Sequence, residues 1–154
     1  MTPVELNQSV LTPALALLPP RMDTPEARVL LTAIGLQESA LEFRKQVGGP
    51  AHGLWQFESE GVTGVLQHSP ELAAAAVRSR GCEPTTDAVY AAIVTDDILA
   101  AIIARLLLWS DPAPLPALGA VDAAWKFYIW NWRPGRPHVA AWADNYTKAQ
   151  TILS

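Results

Sequence analysis

The sequence predicts an all-α fold, and three observations predict it. Signals that start helices recur along the chain, the stretches behind them carry apolar residues three and four apart, and no segment sustains the alternation of a half-buried strand. With 154 residues the chain is long enough for one domain, 1–154, and short for two cores. No internal repeat is visible.

Met1 to Pro20 has an apolar patch at Ala14–Leu18 but no basic residue before Arg21, so it lacks the charged start of a secretory signal and reads as mature protein. Thr24-Pro25-Glu26 then supplies a capping hydroxyl, a first-turn proline and an acid at the positive end of a helix dipole. A helix is expected from there to about Ser39, with Ala27, Leu30, Leu31, Ile34 and Leu41 as its buried stripe. Leu41 to Gly53 breaks the pattern with Arg44-Lys45 and the turn signal Gly48-Gly49-Pro50, which leaves at most a small hairpin between Leu41 and Gln56.

Ser69-Pro70-Glu71 repeats the start signal and opens an alanine-rich helix to about Arg80, ended by Gly81. Thr86-Asp87 or Thr95-Asp96 opens the next stretch, whose near-continuous apolar run Ile98–Trp109 is the central buried helix. That run is too short to span a bilayer and carries Arg105, so stable membrane insertion is not expected. Asp111–Pro116 is a proline-rich loop, Asp122 to about Trp132 a helix, Arg133–Pro137 a turn, and His138 to about Leu153 the last helix. About six or seven helices are expected in all.

Composition narrows the chemistry. Eleven basic against fifteen acidic residues, net −4, give no global positive field, so nucleic acid is not an expected partner. A single cysteine, Cys82, excludes an intramolecular disulfide and a multi-cysteine metal site, and His52, His68 and His138 are too far apart for a local ligand pair. No metal or cofactor is expected. Nucleophile elbow, phosphate loop and His-Glu-x-x-His motif are all missing.

What stands out is Ile34-Gly-Leu-Gln-Glu-Ser39 followed by Gly53-Leu-Trp-Gln-Phe57. Glu38 ends a helix whose inner face is apolar. A carboxyl desolvated there keeps its proton toward neutral pH and can act as a general acid. Taken alone, a glutamate at a helix end is most often a solvated charge, and Trp55 and Phe57 are more typical of a core than of a ligand platform.

Together, these residues resemble the lytic transglycosylases and goose-type lysozymes of the lysozyme-like superfamily. The first motif of that group is Glu-Ser at a helix end, followed after a loop by Gly-Ala-x-Gly-Leu-Met-Gln; here Glu38-Ser39 precedes Pro50-Ala51-His52-Gly53-Leu54-Trp55-Gln56. A later motif, Ala-Tyr-Asn-Ala-Gly-Pro-Gly, is matched by Ile129-Trp130-Asn131-Trp132-Arg133-Pro134-Gly135, with Asn131, Pro134 and Gly135 in register. The apolar helix between the two is matched by Ile98–Trp109, and the likeness covers roughly Thr24 to Tyr146. Trp55 stands for the usual methionine, Trp130 for the tyrosine, and Trp132-Arg133 for the small pair, each enlarging a groove wall.

The resemblance implies a lysozyme-like helical domain that cleaves the β-1,4 bond between N-acetylmuramic acid and N-acetylglucosamine in peptidoglycan glycan strands. Glu38 would protonate the bridging oxygen, then take a proton from the muramic C6 hydroxyl to close a 1,6-anhydro ring. Gln56 and Asn131 would hydrogen-bond substrate, Ser39 would hold the loop or the carboxylate, and Trp55, Trp130 and Trp132 would offer flat faces to sugar rings. A hydrolytic lysozyme needs a second carboxylate, for which Glu58 and Glu60 are the candidates on the motif loop, though both read as solvated charges. The single-acid transglycosylase is therefore the first expectation and a hydrolytic lysozyme or endolysin the second. A non-catalytic phage structural or wall-binding protein of the same fold is the third. A lone domain without signal or wall-binding repeat resembles phage-encoded lytic enzymes, which are made in the host cytoplasm and reach the periplasmic wall through a partner pore, or are carried in the virion.

Overall fold

Thr2 opens the first helix with a reciprocal cap: its hydroxyl accepts the Glu5 N–H at 3.1 Å while the Glu5 carboxylate accepts the Thr2 N–H at 2.7 Å. In this computed structural model, which describes residues 1–154, the helix runs through α1 (Pro3–Leu6), a wider π-turn (Asn7–Leu11) and α2 (Thr12–Ala16). Pro13 accounts for the widening. It has no N–H for the Ser9 carbonyl and its ring crowds that oxygen, so the ladder shifts and the Thr12 N–H bonds the Asn7 carbonyl instead. The segment that the sequence left without structure is thus a helix, and it buries Leu6, Val10, Leu11, Ala14 and Leu15.

A 3-10 turn (Pro20–Met22) leads into α3 (Pro25–Ser39), where the Thr24 hydroxyl accepts the Ala27 N–H at 3.1 Å as the start signal predicts. Arg28, one turn in, pairs with both oxygens of Asp23 and donates to Asn7 and Thr12, so it fastens the π-turn to α3. Between α3 and the next helix the hairpin reduces to isolated bridges, Lys45 with His52 and His52 with Phe57. The next helix, α4 (Ser59–His68), is absent from the sequence reading because Gly61 and Gly64 dilute its helical signal.

Both alternative starts near residues 86 and 96 mark real helices. Thr85 caps α6 (Thr86–Ala92) and Asp96 caps α7 (Asp97–Ser110), after α5 (Pro70–Ser79). α8 (Val121–Trp132) and α9 (Val139–Gln150) complete the chain, with a last 3-10 turn at Thr151–Leu153. The protein is all-α, with no strand, and it has eight helical bodies when α1 and α2 are counted as one.

α7 is the middle of the molecule. From Leu99 to Leu106 every residue is buried, and the N-terminal helix, α3, α4 and α5 all pack on it. α9 lies along α3 and α8 packs on α9, so the far end of α3 is enclosed by helices distant in sequence. The Arg44 guanidinium grips Asp97 through two bonds of 2.8 Å, which ties the irregular segment after α3 to the start of α7. No helix is long and apolar enough to cross a membrane.

Replacing Thr24 with Ala removes the side-chain cap of α3 and leaves the Ala27 N–H to water. A loss of about 1 kcal/mol is expected in urea unfolding, with the helical circular dichroism spectrum of the native state unchanged.

Candidate active site

The C-terminal end of α3 is where three separated segments meet. Trp55 is fully buried against α3, and its indole N–H donates to the Leu31 carbonyl at 2.9 Å. Gly35 makes room for Leu41 beside it: a Cβ there would stand 2.7 Å from Leu41 Cδ2, while its 3.5 Å to the indole nitrogen is ordinary contact. Ser39 Oγ donates to the Leu54 carbonyl at 2.6 Å, fixing the 53–57 turn to the end of the helix. Trp132 Nε1 donates to the Trp55 carbonyl at 3.0 Å, which brings in the end of α8. Gly53 is required within that turn, because it adopts φ +79 and a Cβ would lie 3.0 Å from the Ile93 carbonyl oxygen.

Glu38 projects at this junction, half-buried, and its Oε1 accepts the Tyr128 hydroxyl at 2.6 Å. Burial raises the Glu38 pKa above the ordinary carboxylate value, and the Tyr128 hydrogen bond opposes part of that rise. No other carboxylate's charge contributes to the shift. Tyr128 is pushed in the same direction, by burial first and then by the Glu38 charge and the shared hydrogen bond, so it stays a phenol and a donor at any working pH. Its ring stacks on Trp142 at 5.2 Å and 2°, with Trp125 tilted beside it. On the other side, Gln37 donates to the His138 carbonyl at 2.8 Å and accepts from Asn145 at 2.8 Å, so α9 holds the neighbouring turn of α3.

The other sequence candidates fall into different places. Trp55 does not offer a face to a ligand, which corrects the expectation: at 0% exposure its ring fills the core below α3. Ser39 holds the loop rather than the carboxylate, and at 3% exposure it does not reach a substrate. Gln56, half-buried, bonds its own turn through the Gly53 carbonyl at 2.9 Å and makes no bond to Glu38. Asn131 commits its amide hydrogens to Asp111 at 3.0 Å and to the Phe127 carbonyl at 2.9 Å. Trp132 is half-buried between Phe57 and Tyr128, whereas Trp130 is 66% exposed with Arg133 over its ring at 5.1 Å. Glu58 and Glu60 are exposed at the start of α4, where the helix dipole favours an acid.

Sequence reasoning missed Tyr128. It lies two residues before Trp130, the position matched to a tyrosine in the resembling motif, and a shift of register to reach it would put Ile129 in place of the motif asparagine. The four non-glycine residues with left-handed backbone are Ala40, Leu41, Gln56 and Arg133. All four belong to the segments that converge here: they end α3, close the 53–57 turn and end α8. Strain of this kind persists only where surrounding contacts enforce it.

Two clefts lie away from Glu38. One of about 320 Å³ is lined by Asn7, Asp23 and Arg28, and one of about 440 Å³ by His68, Arg105 and Trp109; Glu38 lines neither. No group of three His, Cys, Asp or Glu side chains converges in a way that could hold a metal ion. No protein-family model, curated protein or solved structure matches the chain.

The raised pKa of Glu38 sets the sign of a stability effect. Between the unfolded and the folded pKa the native state holds more protons, so stability is full below the unfolded value and falls as pH rises through the folded one. Glu38→Gln keeps an acceptor for Tyr128 and cannot ionise. Its melting temperature relative to the parent should therefore rise between pH 4 and pH 8; a difference independent of pH would show that Glu38 is not desolvated.

Proposed function

We propose that the protein cleaves peptidoglycan glycan strands by single-carboxylate chemistry, with Glu38 as acid and then base, as a lytic transglycosylase does. One observation carries this reading: a half-buried carboxyl with a raised pKa sits at a helix end, one oxygen held by a permanent phenol donor and no second carboxylate acting on it. The motif order shared with lytic transglycosylases and goose-type lysozymes supports the substrate class.

In this mechanism Glu38 Oε2, the oxygen not bonded to Tyr128, donates its proton to the bridging oxygen as the bond from the muramic C1 breaks. The Tyr128 phenol stabilises the carboxylate that results. That carboxylate then removes the C6 hydroxyl proton while O6 bonds C1, closing the 1,6-anhydro ring and restoring the acid without consuming water. Intramolecular attack is favoured because the substrate itself holds O6 near C1 at high effective concentration. Hydrolysis would need a base for water, and the nearest sequence candidates, Glu58 and Glu60, are exposed at the start of α4. Trp130, the exposed one of the three tryptophans singled out above, keeps the face opposite Arg133 for a sugar ring.

A second reading, a wall-binding protein without catalysis, draws on Asn131, whose amide hydrogens are already committed to Asp111 and Phe127.

Purified sacculi separate these readings. The parent protein should release soluble muropeptides with 1,6-anhydro ends, seen by mass spectrometry as a deficit of one water that borohydride does not reduce. Glu38→Gln should lower that release by about 10²-fold or more. A majority of reducing ends would replace the transglycosylase reading with the hydrolytic one, and no release by the parent would leave the binding protein.

Tyr128→Phe tests the partner of the acid. Removing the phenol removes the contribution that lowers the Glu38 pKa, so the alkaline limb of the pH–rate profile should move to higher pH. An unmoved limb with lowered kcat would mean that Tyr128 acts only through packing.

A further inference from the structure

Two guanidinium groups without a carboxylate partner meet on one indole, on the far side of α7 from its N-terminal cap. Arg21 Cζ lies 5.2 Å and Arg105 Cζ 5.8 Å from the centre of the Trp109 ring. The protein's ion pairs use Arg28, Arg44 and Arg80, so neither of these two takes part. Arg105 is 3% exposed; its Nε donates to the Met22 carbonyl at 2.8 Å, and its Nη1 is buried with no acceptor. Burial pulls the Arg105 pKa down to about 10, which still leaves it charged at neutral pH. A buried cation with an unused donor is costly unless an anion meets it.

The carboxylates nearby are already engaged. Asp23, whose charge acts on Arg105, spends both oxygens on Arg28 at 2.7 and 2.9 Å. Asp111 takes the Ala113 N–H at 2.9 Å on one oxygen and the Asn131 amide at 3.0 Å on the other. Arg105, Trp109 and Asp111 line the cleft of about 440 Å³ noted above, together with His68, whose Nδ1 meets Ser69 Oγ at 3.0 Å. Leu108, Leu115, Ala113 and two prolines of the 111–115 loop give it apolar wall, with Ser110 beside them, its hydroxyl donating to the Leu107 carbonyl at 2.6 Å.

We infer that this cleft is an oxyanion-binding site, in which the Arg105 guanidinium, whose Nη1 has no acceptor in the protein, turns to hydrogen-bond a carboxylate or phosphate oxygen and Arg21 adds positive charge from the Trp109 face. The planar guanidinium suits either oxyanion. The apolar walls favour a carboxylate carried on a small organic body, such as the end of a peptide, over free phosphate. The site does not include Glu38 and does not depend on the glycan-cleaving reading.

The test follows the Trp109 indole N–H by nitrogen–proton correlation NMR of the full chain, assigned with Trp109→Phe. The titrants are N-acetylalanine, its uncharged amide, and inorganic phosphate. N-acetylalanine should shift the signal saturably, at roughly millimolar concentration, while the amide does not. Arg105→Met should abolish the shift. Arg21→Gln, at an exposed position that does not endanger folding, should weaken binding several-fold and keeps the test decisive if Arg105→Met does not fold. Preference for N-acetylalanine identifies an organic carboxylate as the ligand, and equal binding of phosphate identifies a free oxyanion. No saturable shift with either anion, an equal shift with the amide, or undiminished binding in Arg21→Gln overturns the proposal.

Discussion

The burial of the Trp55 indole beneath α3 is the constraint on which the site depends. An indole N–H taken out of water needs an acceptor, and here it takes the Leu31 carbonyl, an oxygen inside a helix. Beside it Leu41 closes down on the same turn of α3, where Gly35 leaves it room: a Cβ there would stand 2.7 Å from Leu41 Cδ2. Once the ring is seated, the backbone of the 53–57 turn has no freedom to slide. Its Leu54 carbonyl meets Ser39 and its Trp55 carbonyl meets Trp132, so a side chain that touches no ligand aligns α3, the turn and α8.

The acid's character follows from desolvation rather than from neighbouring charges. The bidentate cations Arg28 and Arg44 are spent on Asp23 and Asp97, and the shift at Glu38 is set by burial and by a neutral phenol. A site built this way is little affected by salt, because no exposed ion pair tunes it. It depends instead on the packing of Tyr128 against Trp125 and Trp142, which holds the phenol in place beside the carboxyl.

Those parts of the fold governed by local chemistry were legible in the sequence. Thr24-Pro25-Glu26 marks the start of α3, and the run Ile98–Trp109 marks the buried helix, since capping and hydrophobic patterning act within a few residues. The N-terminal helix went unread: four prolines in the first twenty residues mask the Thr2-Pro3-Val4-Glu5 start, and the π-turn that accommodates Pro13 has no sequence signature. Within the site, Glu38 could be found because its motif lies on one helix end. Trp55 could not be assigned to core or groove, because that depends on where the 53–57 turn packs against Leu31 of α3 in space. Tyr128 reaches Glu38 across 90 residues, and nothing local distinguishes it from the other aromatics of α8.

The left-handed residues around the site have a consequence for tolerance to heat. Ala40, just past the end of α3, holds φ 56, a conformation that costs a residue with a Cβ on the order of 1–2 kcal/mol and glycine almost nothing. Glycine there would relax the native backbone, and part of the gain would be offset by the larger freedom it gives the unfolded chain, about 0.4–1 kcal/mol. The net benefit to thermal tolerance is small but positive, and it comes with a looser end to the helix that carries the acid. Endurance at high temperature and a firmly aimed carboxyl are therefore in competition at a single small residue, two positions beyond Glu38.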